Sequence, residues 1–243
     1  MADLLRLVRD EGPGDEPTCP LGRCDGSGWI LDADSEAHPC DCRQRRASRA
    51  VSRRMGSGIP RRFAGVSFDR KPICDLDPFV LRHVRTYVDQ IEDSIERGRG
   101  LWFYGDVGTG KTSLAMLVSR AALEAGRSVA IYSVPRLLAE IKQTFDRDHT
   151  DSYMQLFRRL CAVDLLQLDD LGAEKRTDWV LEQLYAIVNE RWQDRRSIVV
   201  TTNLQSLDEL REQLGERTVS RLTEICGDAI PIMGPDLRLR AGD

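Results

Sequence analysis

Residues 101–114, LWFYGDVGTGKTSL, restrict what this chain can fold into more than any other segment. The apolar run Leu101–Tyr104 predicts a buried strand, and residues 113–124 carry apolar side chains at helical spacing. The loop between them, residues 105–112 (the phosphate loop), has the pattern G-x-x-x-x-G-K-T, in which backbone N–H groups surround a phosphate. A glycine turn that matched by chance would need neither the strand before it nor the helix after it. We therefore predict an α/β domain that binds a nucleoside triphosphate.

Each residue type in the phosphate loop has a chemical reason. Gly105, Gly108 and Gly110 allow positive φ angles, so that backbone N–H groups turn toward an anion. We expect Lys111 to reach the β- and γ-phosphates of ATP, and the hydroxyl of Thr112 to bind Mg²⁺. A helix that begins near Lys111 adds the positive end of its dipole. The loop residues predicted to bind the nucleotide are Gly105, Asp106, Val107, Gly108, Thr109, Gly110, Lys111, Thr112 and Ser113.

Polar side chains stand at the ends of two further predicted strands. Residues 163–170, VDLLQLDD, end in Asp169 and Asp170. Because open parallel sheets bind ligands at the carboxyl ends of their strands, we predict that Asp169 holds Mg²⁺ and Asp170 polarises the attacking water. The alternative is an acidic pair on the surface. Asn203 follows the strand Ser197–Thr202 and could hydrogen-bond the same water, or simply cap a helix.

Five strands and their flanking helices make up the predicted ATPase domain. Besides the three strands above, strands are predicted at residues 128–134 and 229–232. Helices are predicted at residues 78–97, 135–147, 152–160, 179–192, 207–214 and 216–225. The predicted fold class is therefore α/β, with a parallel five-stranded sheet and flanking helices. An extended entry segment from Ile59, IPRRFAGVSF, could pack beside the adenine ring.

The formal net charge of −4 conceals two oppositely charged segments. Residues 1–42 contain ten acidic residues and three arginines, whereas residues 43–62 contain eight arginines and no acidic residue. The arginine run RQRRASRAVSRR is either a solvated linker or a helix that contacts phosphates or a partner. Gly56-Ser57-Gly58 ends this run. We therefore predict an N-terminal domain of residues 1–58 and an ATPase domain of residues 59–243.

The N-terminal sequence MADLLRLVRDEGPGDE bears on localisation. It is acidic and lacks the apolar core of a signal peptide, and no apolar run is long enough to span a bilayer. These features favour a cytoplasmic protein. Disulfides are rare in that compartment, which affects how the cysteines are interpreted.

Four of the seven cysteines lie within the short segment CPLGRCDGSGWILDADSEAHPCDC. Cys19 and Cys24 fall on one turn, Cys40 and Cys42 fall on another, and four thiolates satisfy a closed tetrahedral Zn²⁺ site. So short a segment buries little core, so a metal ion gives it a physical reason to fold. His38 competes as a ligand for the second pair, and four free thiols are the alternative. A closed site leaves no open coordination position, so we expect zinc to support docking.

Several motifs, taken in order, point to a family. GDVGTGKT, LLQLDDLG, TTN, ERTVSRL and GPDLR resemble the bacterial DnaC/DnaI helicase-loader family of AAA+ ATPases, which includes the IstB transposition helpers. The resemblance covers roughly residues 59–240, and the ordered set is more specific than any one motif. The cysteine-rich start also resembles the zinc domain of the loaders, which favours a loader over a transposition helper.

The resemblance implies further site residues at matching positions. Arg221 in SRL matches the arginine finger that reaches the ATP site of a neighbouring subunit, with Arg217 as a second contributor. Arg238 in GPDLR is similar to the sensor-2 arginine, and Asn203 to sensor 1. A finger supplied by a neighbour implies self-association or docking on another AAA+ subunit. Without the resemblance, Arg221 would be taken for an ordinary surface arginine.

Two departures from a general AAA+ pattern stand out. Asp170 replaces the usual glutamate and is one methylene shorter, which suggests slow turnover. Only 40 residues follow Asn203, so we expect a truncated or absent helical lid. The helices between residues 135 and 160 occupy the place of a single-stranded DNA element, or present a solvated face. Their candidate phosphate contacts are Lys142, Arg147, Arg158 and Arg159.

The sequence therefore favours an ATP-dependent loader of the replicative hexameric helicase. In this interpretation the N-terminal domain grips the helicase, while the ATPase domain binds single-stranded DNA and changes with nucleotide state. Two alternatives remain open: a transposition helper that binds DNA and a transposase, and a P-loop kinase that phosphorylates a small metabolite.

Overall fold

The computed structural model describes residues 19–33, 35–54, 58–145 and 150–237. These residues fall into two compact units, one extending to Ala47 and the other beginning at Ser48. The domain boundary after residue 58 stays a prediction, because residues 55–57 lie outside the described ranges. Among the described residues, no helix combines the length and apolar character that crossing a bilayer requires.

The first unit contains a small hairpin. Strand β1, Trp29–Leu31, pairs antiparallel with β2, Ala37–Pro39, and Ile30 lies opposite His38. Helix α1, Cys42–Arg54, begins directly after the hairpin, at the last of the four clustered cysteines.

Among the described residues, the second unit contains a parallel sheet of five strands. Its strands are β3 (Leu101–Tyr104), β4 (Val129–Ser133), β5 (Leu165–Leu171), β6 (Ser197–Thr202) and β7 (Ile230–Pro231). The strand order across the sheet is β4-β5-β6-β3-β7, and every neighbouring pair is parallel. The predicted α/β fold class is confirmed.

Helices cover both faces of this sheet. They are α2 (Pro78–Asp89), α3 (Ile91–Glu96), α4 (Lys111–Glu124), α5 (Val134–Phe145), α6 (Thr150–Ala162), α7 (Asp178–Gln193), α8 (Leu207–Leu214) and α9 (Glu216–Cys226). One apolar cluster joins α2, α3 and α4 to one face, and a second joins α5 to α9 to the other. A short 3₁₀ turn at Arg61–Phe63 replaces part of the extended segment predicted from Ile59, and a second one follows at Ile73–Asp75.

The single helix predicted over residues 78–97 is wrong in one respect, because it is broken at Gln90. This residue has φ −108° and ψ 27°, which ends α2 and begins α3. Val84, Tyr87 and Ile91 are all buried and keep helical spacing across the break. The apolar periodicity therefore continues through a backbone irregularity that it cannot reveal.

Arg191 is a fully buried cation that joins the amino-terminal edge of the sheet to the end of α6. Its guanidinium donates to the carbonyl oxygens of Leu160, Val163 and Ser197 at 2.7, 2.9 and 2.6 Å. Burial lowers the pKa of Arg191 to about 9. Backbone carbonyls thus take the place that a carboxylate usually fills beside a buried charge.

Candidate nucleotide site and cysteine cluster

The phosphate loop connects β3 to α4 at the carboxyl edge of the sheet. Gly105, Gly108 and Gly110 have φ angles of 138°, 81° and 100°, a region that residues with a Cβ rarely adopt. Helix α4 begins at Lys111, so its amino-terminal N–H groups open onto the loop. A Cβ at Gly105 would also collide with the carbonyl oxygen of Ile232, just after β7. The loop is therefore shaped by backbone contacts on both sides.

The side chain of Lys111 is buried and points back into the phosphate loop. Its Nζ donates to the carbonyl oxygens of Gly105 at 2.8 Å and Asp106 at 2.5 Å. Thr109 Oγ1 also donates to the carbonyl of Asp106, at 2.9 Å. A phosphate bound here would give the ammonium group of Lys111 a charged acceptor, a stronger hydrogen-bond partner than a carbonyl.

Thr112 and Asp169 come together although they lie far apart in the chain. Thr112 Oγ1, in the first turn of α4, donates to Asp169 Oδ2 on β5 at 3.3 Å. A hydroxyl and a carboxylate are the oxygen ligands that Mg²⁺ uses beside a triphosphate, so these residues fit that ion. Burial raises the pKa of the Asp169 carboxyl, and Asp170 acts in the same direction, whereas hydrogen bonds from Thr201 and Thr112 oppose the rise.

Asp169 and Asp170, the acid pair, form a β-bulge. Leu168 pairs with Val200 and Leu171 pairs with Thr202, so the two aspartates lie opposite Thr201 alone. Asp170 has φ 57°, an uncommon value for a residue other than glycine. The strand does not end at residue 170, as predicted, but continues through the bulge to Leu171.

Thr201 is a site residue that the sequence interpretation missed. Its side chain is fully buried, its Oγ1 donates to Asp169 Oδ1 at 2.7 Å, and the same oxygen accepts from the backbone N–H of Asp170 at 2.9 Å. The motif TTN contains Thr201, but only Asn203 was singled out from it. A hydroxyl within a fully buried strand is the signal that could have identified Thr201. Interpreting it requires knowing that β6 lies beside β5, and local sequence patterns do not give the strand order.

Asn203 directly follows β6 and is partly buried. Two residues further on, Gln205 Nε2 donates to Asp106 Oδ1 at 2.5 Å. The segment after β6 is thereby tied to the phosphate loop, and the sensor role of Asn203 stays a prediction.

An open cavity of about 640 Å³ lies over the phosphate loop and the acid pair. Its lining includes the loop, Thr112 and the two aspartates. It also includes Arg62, Phe63 and Val66, from the segment predicted to pack beside adenine. The cavity thus combines polar groups suited to phosphates with an aromatic ring.

The last described residues reach the phosphate loop. Leu237 donates its backbone N–H to the carbonyl oxygen of Gly108 at 3.0 Å. A Cβ at Gly108 would collide with the carboxylate of Asp236. Arg238, the predicted sensor-2 residue, lies outside the described residues, but its neighbour Leu237 contacts the loop.

The predicted arginine finger and the candidate DNA contacts lie outside this cavity. The guanidinium of Arg221, on α9, lies over the ring of Trp192, and Arg217 is exposed on the same helix. Arg158 and Arg159 are exposed on α6. Lys142 Nζ lies 5.1 Å from the ring centroid of Trp179, and Arg147 lies outside the described residues.

The four clustered cysteines converge in the first unit. All four Sγ atoms lie within 4.8 Å of one another, with Cys19–Cys40 at 3.8 Å and Cys24–Cys42 at 3.6 Å. Sulfurs around a tetrahedral Zn²⁺, each about 2.3 Å from the ion, lie about 3.8 Å apart. The four cysteines are free of disulfide bonds. Their arrangement fits a closed zinc site, whereas His38 lies in a separate group and pairs with Asp32 at 2.6 Å.

The thiols of this cluster differ in acidity. Although burial opposes ionisation, backbone N–H groups of residues 21, 23 and 24 lower the pKa of Cys19 to about 6. Burial and the neighbouring thiols raise the pKa of Cys42 to about 12. Metal binding requires thiolates, so a cation would have to displace the more tightly held protons.

Comparison with known proteins identifies relatives of the chain. Residues 42–240 match the family described as IstB-like ATP binding protein. The replicative helicase loader DnaC of Escherichia coli (strain K12) is 30% identical over 181 residues, which cover 74% of this chain and 72% of that protein.

Solved structures show the same fold. The crystal structure of the DnaC helicase loader aligns with a TM-score of 0.61 at 26% identity, covering 71% of this chain and 99% of that one. The crystal structure of DnaI aligns with a TM-score of 0.55 at 22% identity, covering 76% and 92%. The chain therefore belongs to the IstB-like family of ATP-binding proteins and has the α/β fold of the AAA+ ATPases.

Proposed function

We propose that this protein is an ATP-hydrolysing loader that docks on the replicative hexameric DNA helicase and helps place it on single-stranded DNA. The observation that carries this proposal is the similarity to the loader DnaC over most of both chains. The convergence of Thr112 and Asp169 supports the nucleotide-dependent part. ATP acts here as a conformational timer, and no phosphoryl group is passed to a substrate.

The nucleotide would be held by residues already placed around the cavity. The N–H groups of the phosphate loop and Lys111 would bind the phosphates, and Thr112 and Asp169 would hold Mg²⁺. When bound, Mg²⁺ neutralises charge on the triphosphate. Asp170 would orient the attacking water and Asn203 would report the γ-phosphate. Because Asp170 is shorter than glutamate, we expect slow hydrolysis that assembly or DNA accelerates.

Single-stranded DNA would bind across α5 and α6. Lys142, Arg158 and Arg159 are exposed there and supply positive charge for backbone phosphates. The ammonium group of Lys142 lies over the ring of Trp179, which holds this charge on the surface of α5.

Assembly would complete the ATP site. We propose that Arg221 reaches the γ-phosphate bound by a neighbouring subunit, with Arg217 beside it, and that Arg238 contacts the nucleotide within its own subunit. A guanidinium placed by a neighbour makes hydrolysis depend on association. The zinc-bound N-terminal unit would grip the helicase, and the whole would act in the cytoplasm.

Co-purification with the helicase tests this proposal directly. The full-length chain and the replicative helicase of the same organism are mixed with ATP, and helicase delivered to single-stranded DNA is measured. We expect a stable complex and ATP-sensitive delivery, which Lys111→Ala abolishes. A chain that hydrolyses ATP but never associates with the helicase would contradict the loader function.

The second candidate is a transposition helper that binds DNA and activates a transposase. The family match to IstB-like proteins favours it. This function predicts tight binding to duplex DNA and ATP-dependent filaments, whereas a loader prefers single strands. Competition between duplex and single-stranded oligonucleotides of equal length separates the two.

A further inference from the structure

We propose that Thr201 is a positioning residue of the ATPase site, which holds both members of the acid pair through one buried hydroxyl. The proposal rests on the ATPase activity proposed above. Thr201 contacts neither the cavity nor the phosphate loop in the described structure, so it would act through Asp169 and Asp170.

The two hydrogen bonds use the single proton of the hydroxyl and one of its two lone pairs. Thr201 Oγ1 has one proton, which it donates to Asp169 Oδ1 at 2.7 Å. Its lone pair accepts the backbone N–H of Asp170 at 2.9 Å. A serine preserves both bonds, whereas valine has the same shape and preserves neither.

The two hydrogen bonds hold different parts of the acid pair, the side chain of Asp169 and the backbone of Asp170. With Oδ1 of Asp169 held by Thr201, its other oxygen, Oδ2, is left 3.3 Å from Thr112 Oγ1, where the ion would bind. Thr201 holds the backbone N–H of Asp170 while Asp170 adopts φ 57°. The backbone of the bulge therefore sets the position from which the Asp170 side chain extends. Without Thr201, Asp169 could rotate and the bulge would lose a hydrogen bond that opposes its strain.

Strand β6 thereby connects three parts of the site. Thr201 holds the acid pair, Asn203 follows at the strand end, and Gln205 bonds Asp106 of the phosphate loop. Strand β6 is buried along its whole length, so Thr201 contacts the predicted Mg²⁺ ligand from a packed position. Groups that orient a metal ligand in this way typically change metal affinity by about 10- to 100-fold when removed.

Thr202 provides a matched control on the same strand. It is also fully buried, and its Oγ1 donates to the carbonyl of Leu171 at 2.7 Å and accepts from the N–H of Leu204 at 3.2 Å. Neither bond involves a carboxylate. Thr202→Val therefore carries the same loss of a buried hydroxyl without touching the acid pair.

The experiment compares Thr201→Val, Thr201→Ser and Thr202→Val in the full-length chain. ATP hydrolysis is measured against Mg²⁺ concentration, and thermal unfolding is recorded for each variant. We expect Thr201→Val to raise the half-maximal Mg²⁺ concentration by about tenfold or more and to lower kcat. Thr201→Ser should stay within about threefold of the unchanged chain, and Thr202→Val should unfold earlier without a shift in Mg²⁺ dependence.

Equal Mg²⁺ dependence in Thr201→Val and Thr202→Val would overturn the proposal. A Thr201→Ser variant that does not keep the Mg²⁺ dependence of the unchanged chain would also overturn it. If Thr201→Val does not fold, Thr201→Ala is compared with Thr201→Ser in its place. If the unchanged chain hydrolyses no ATP, the proposed ATPase fails instead. Binding of Mn²⁺ with ADP, followed by electron paramagnetic resonance, then still decides whether Thr201 orients the metal ligand.

Discussion

The guanidinium carbon of Arg221 lies 3.5 Å from the centroid of the Trp192 ring. Arg221 Nη1 also donates to Glu224 Oε1 at 2.8 Å, and Trp192 Nε1 donates to Glu224 Oε2 at 2.8 Å. These three side chains, from α7 and α9, form a closed set that limits the rotamers of Arg221. An arginine ordered before a partner arrives loses less entropy on docking.

Arg221→Ala should remove hydrolysis that depends on assembly while leaving nucleotide binding intact. Arginine fingers contribute about 10³- to 10⁵-fold to hydrolysis rates, so we expect a fall of at least about 100-fold in the assembled protein. ATP turnover against protein concentration is the measurement. Arg211→Ala, at an exposed position on α8, is the control. A monomeric kinase would stay active in Arg221→Ala, and that result would contradict a finger supplied by a neighbour.

Lys111→Ala should weaken ATP binding by about tenfold or more, because a buried ammonium that pairs with phosphates is lost. Titration with a fluorescent ATP analogue measures this. The thermal unfolding midpoint of the variant is recorded in parallel, so that a loss of ATP binding is separated from a loss of folding. Lys175→Ala, at an exposed position after the acid pair, should bind like the unchanged chain. Unaltered ATP turnover in Lys111→Ala would disprove the phosphate-loop assignment.

Zinc should be present at about one ion per chain by metal analysis. Cys42→Ser should lose this ion, since serine does not supply the buried fourth thiolate, whereas ATP binding by the second unit should persist. Cys74→Ser is the matched control, because Cys74 is exposed and outside the cluster. A folded N-terminal unit without metal would contradict the site. Acidification should release zinc, because protons compete for the sulfurs.

Glu174→Gln should make the stability of the ATPase unit less dependent on pH. Burial raises the pKa of Glu174 above its ordinary value, so the folded chain binds a proton more tightly than the unfolded one. The stability that this proton contributes is complete below the unfolded pKa and is lost as pH rises through the raised, folded pKa. Glutamine keeps an acceptor for the N–H of Gly172 and cannot ionise.

The measurement is the free energy of unfolding in urea, compared between Glu174→Gln and the unchanged chain from about pH 4 to about pH 8. We expect the free energy of unfolding of Glu174→Gln to increase relative to that of the unchanged chain as pH rises. Glu182→Gln, at an exposed position on α7, should show no such trend. A parallel pH dependence of all three proteins would refute the assignment to Glu174.

Local patterns in the sequence predicted most of the ATPase fold. The phosphate loop and the strands around it are short continuous segments, so apolar runs and glycines identify them without knowledge of the tertiary structure. The break at Gln90 was not predicted because the buried residues on either side of it keep helical spacing. The bulge at Asp170 was not predicted because it depends on β6, which lies beside β5 only in the folded sheet.

Contacts between distant residues account for what the sequence did not predict about the site. Gln167 is a polar residue within the apolar run of β5, and the hydroxyl of Ser119 on α4 donates to its Oε1 at 2.7 Å. Trp192 and Glu224 are unremarkable in the sequence until α7 and α9 pack together around Arg221. Pairings of this kind are set by three-dimensional packing, which the local pattern of a single sequence does not reveal.

The contact between Gly105 and Ile232 has a consequence for how the protein is made. The phosphate loop is translated long before β7, yet Ile232 donates its N–H to the carbonyl of Tyr104 at 2.8 Å and its own carbonyl lies against Gly105. During synthesis, a chain that has not yet reached β7 therefore lacks the contacts that Ile232 makes at the start of the phosphate loop. We expect such chains, and fragments that end before β7, to bind ATP more weakly than chains that contain β7.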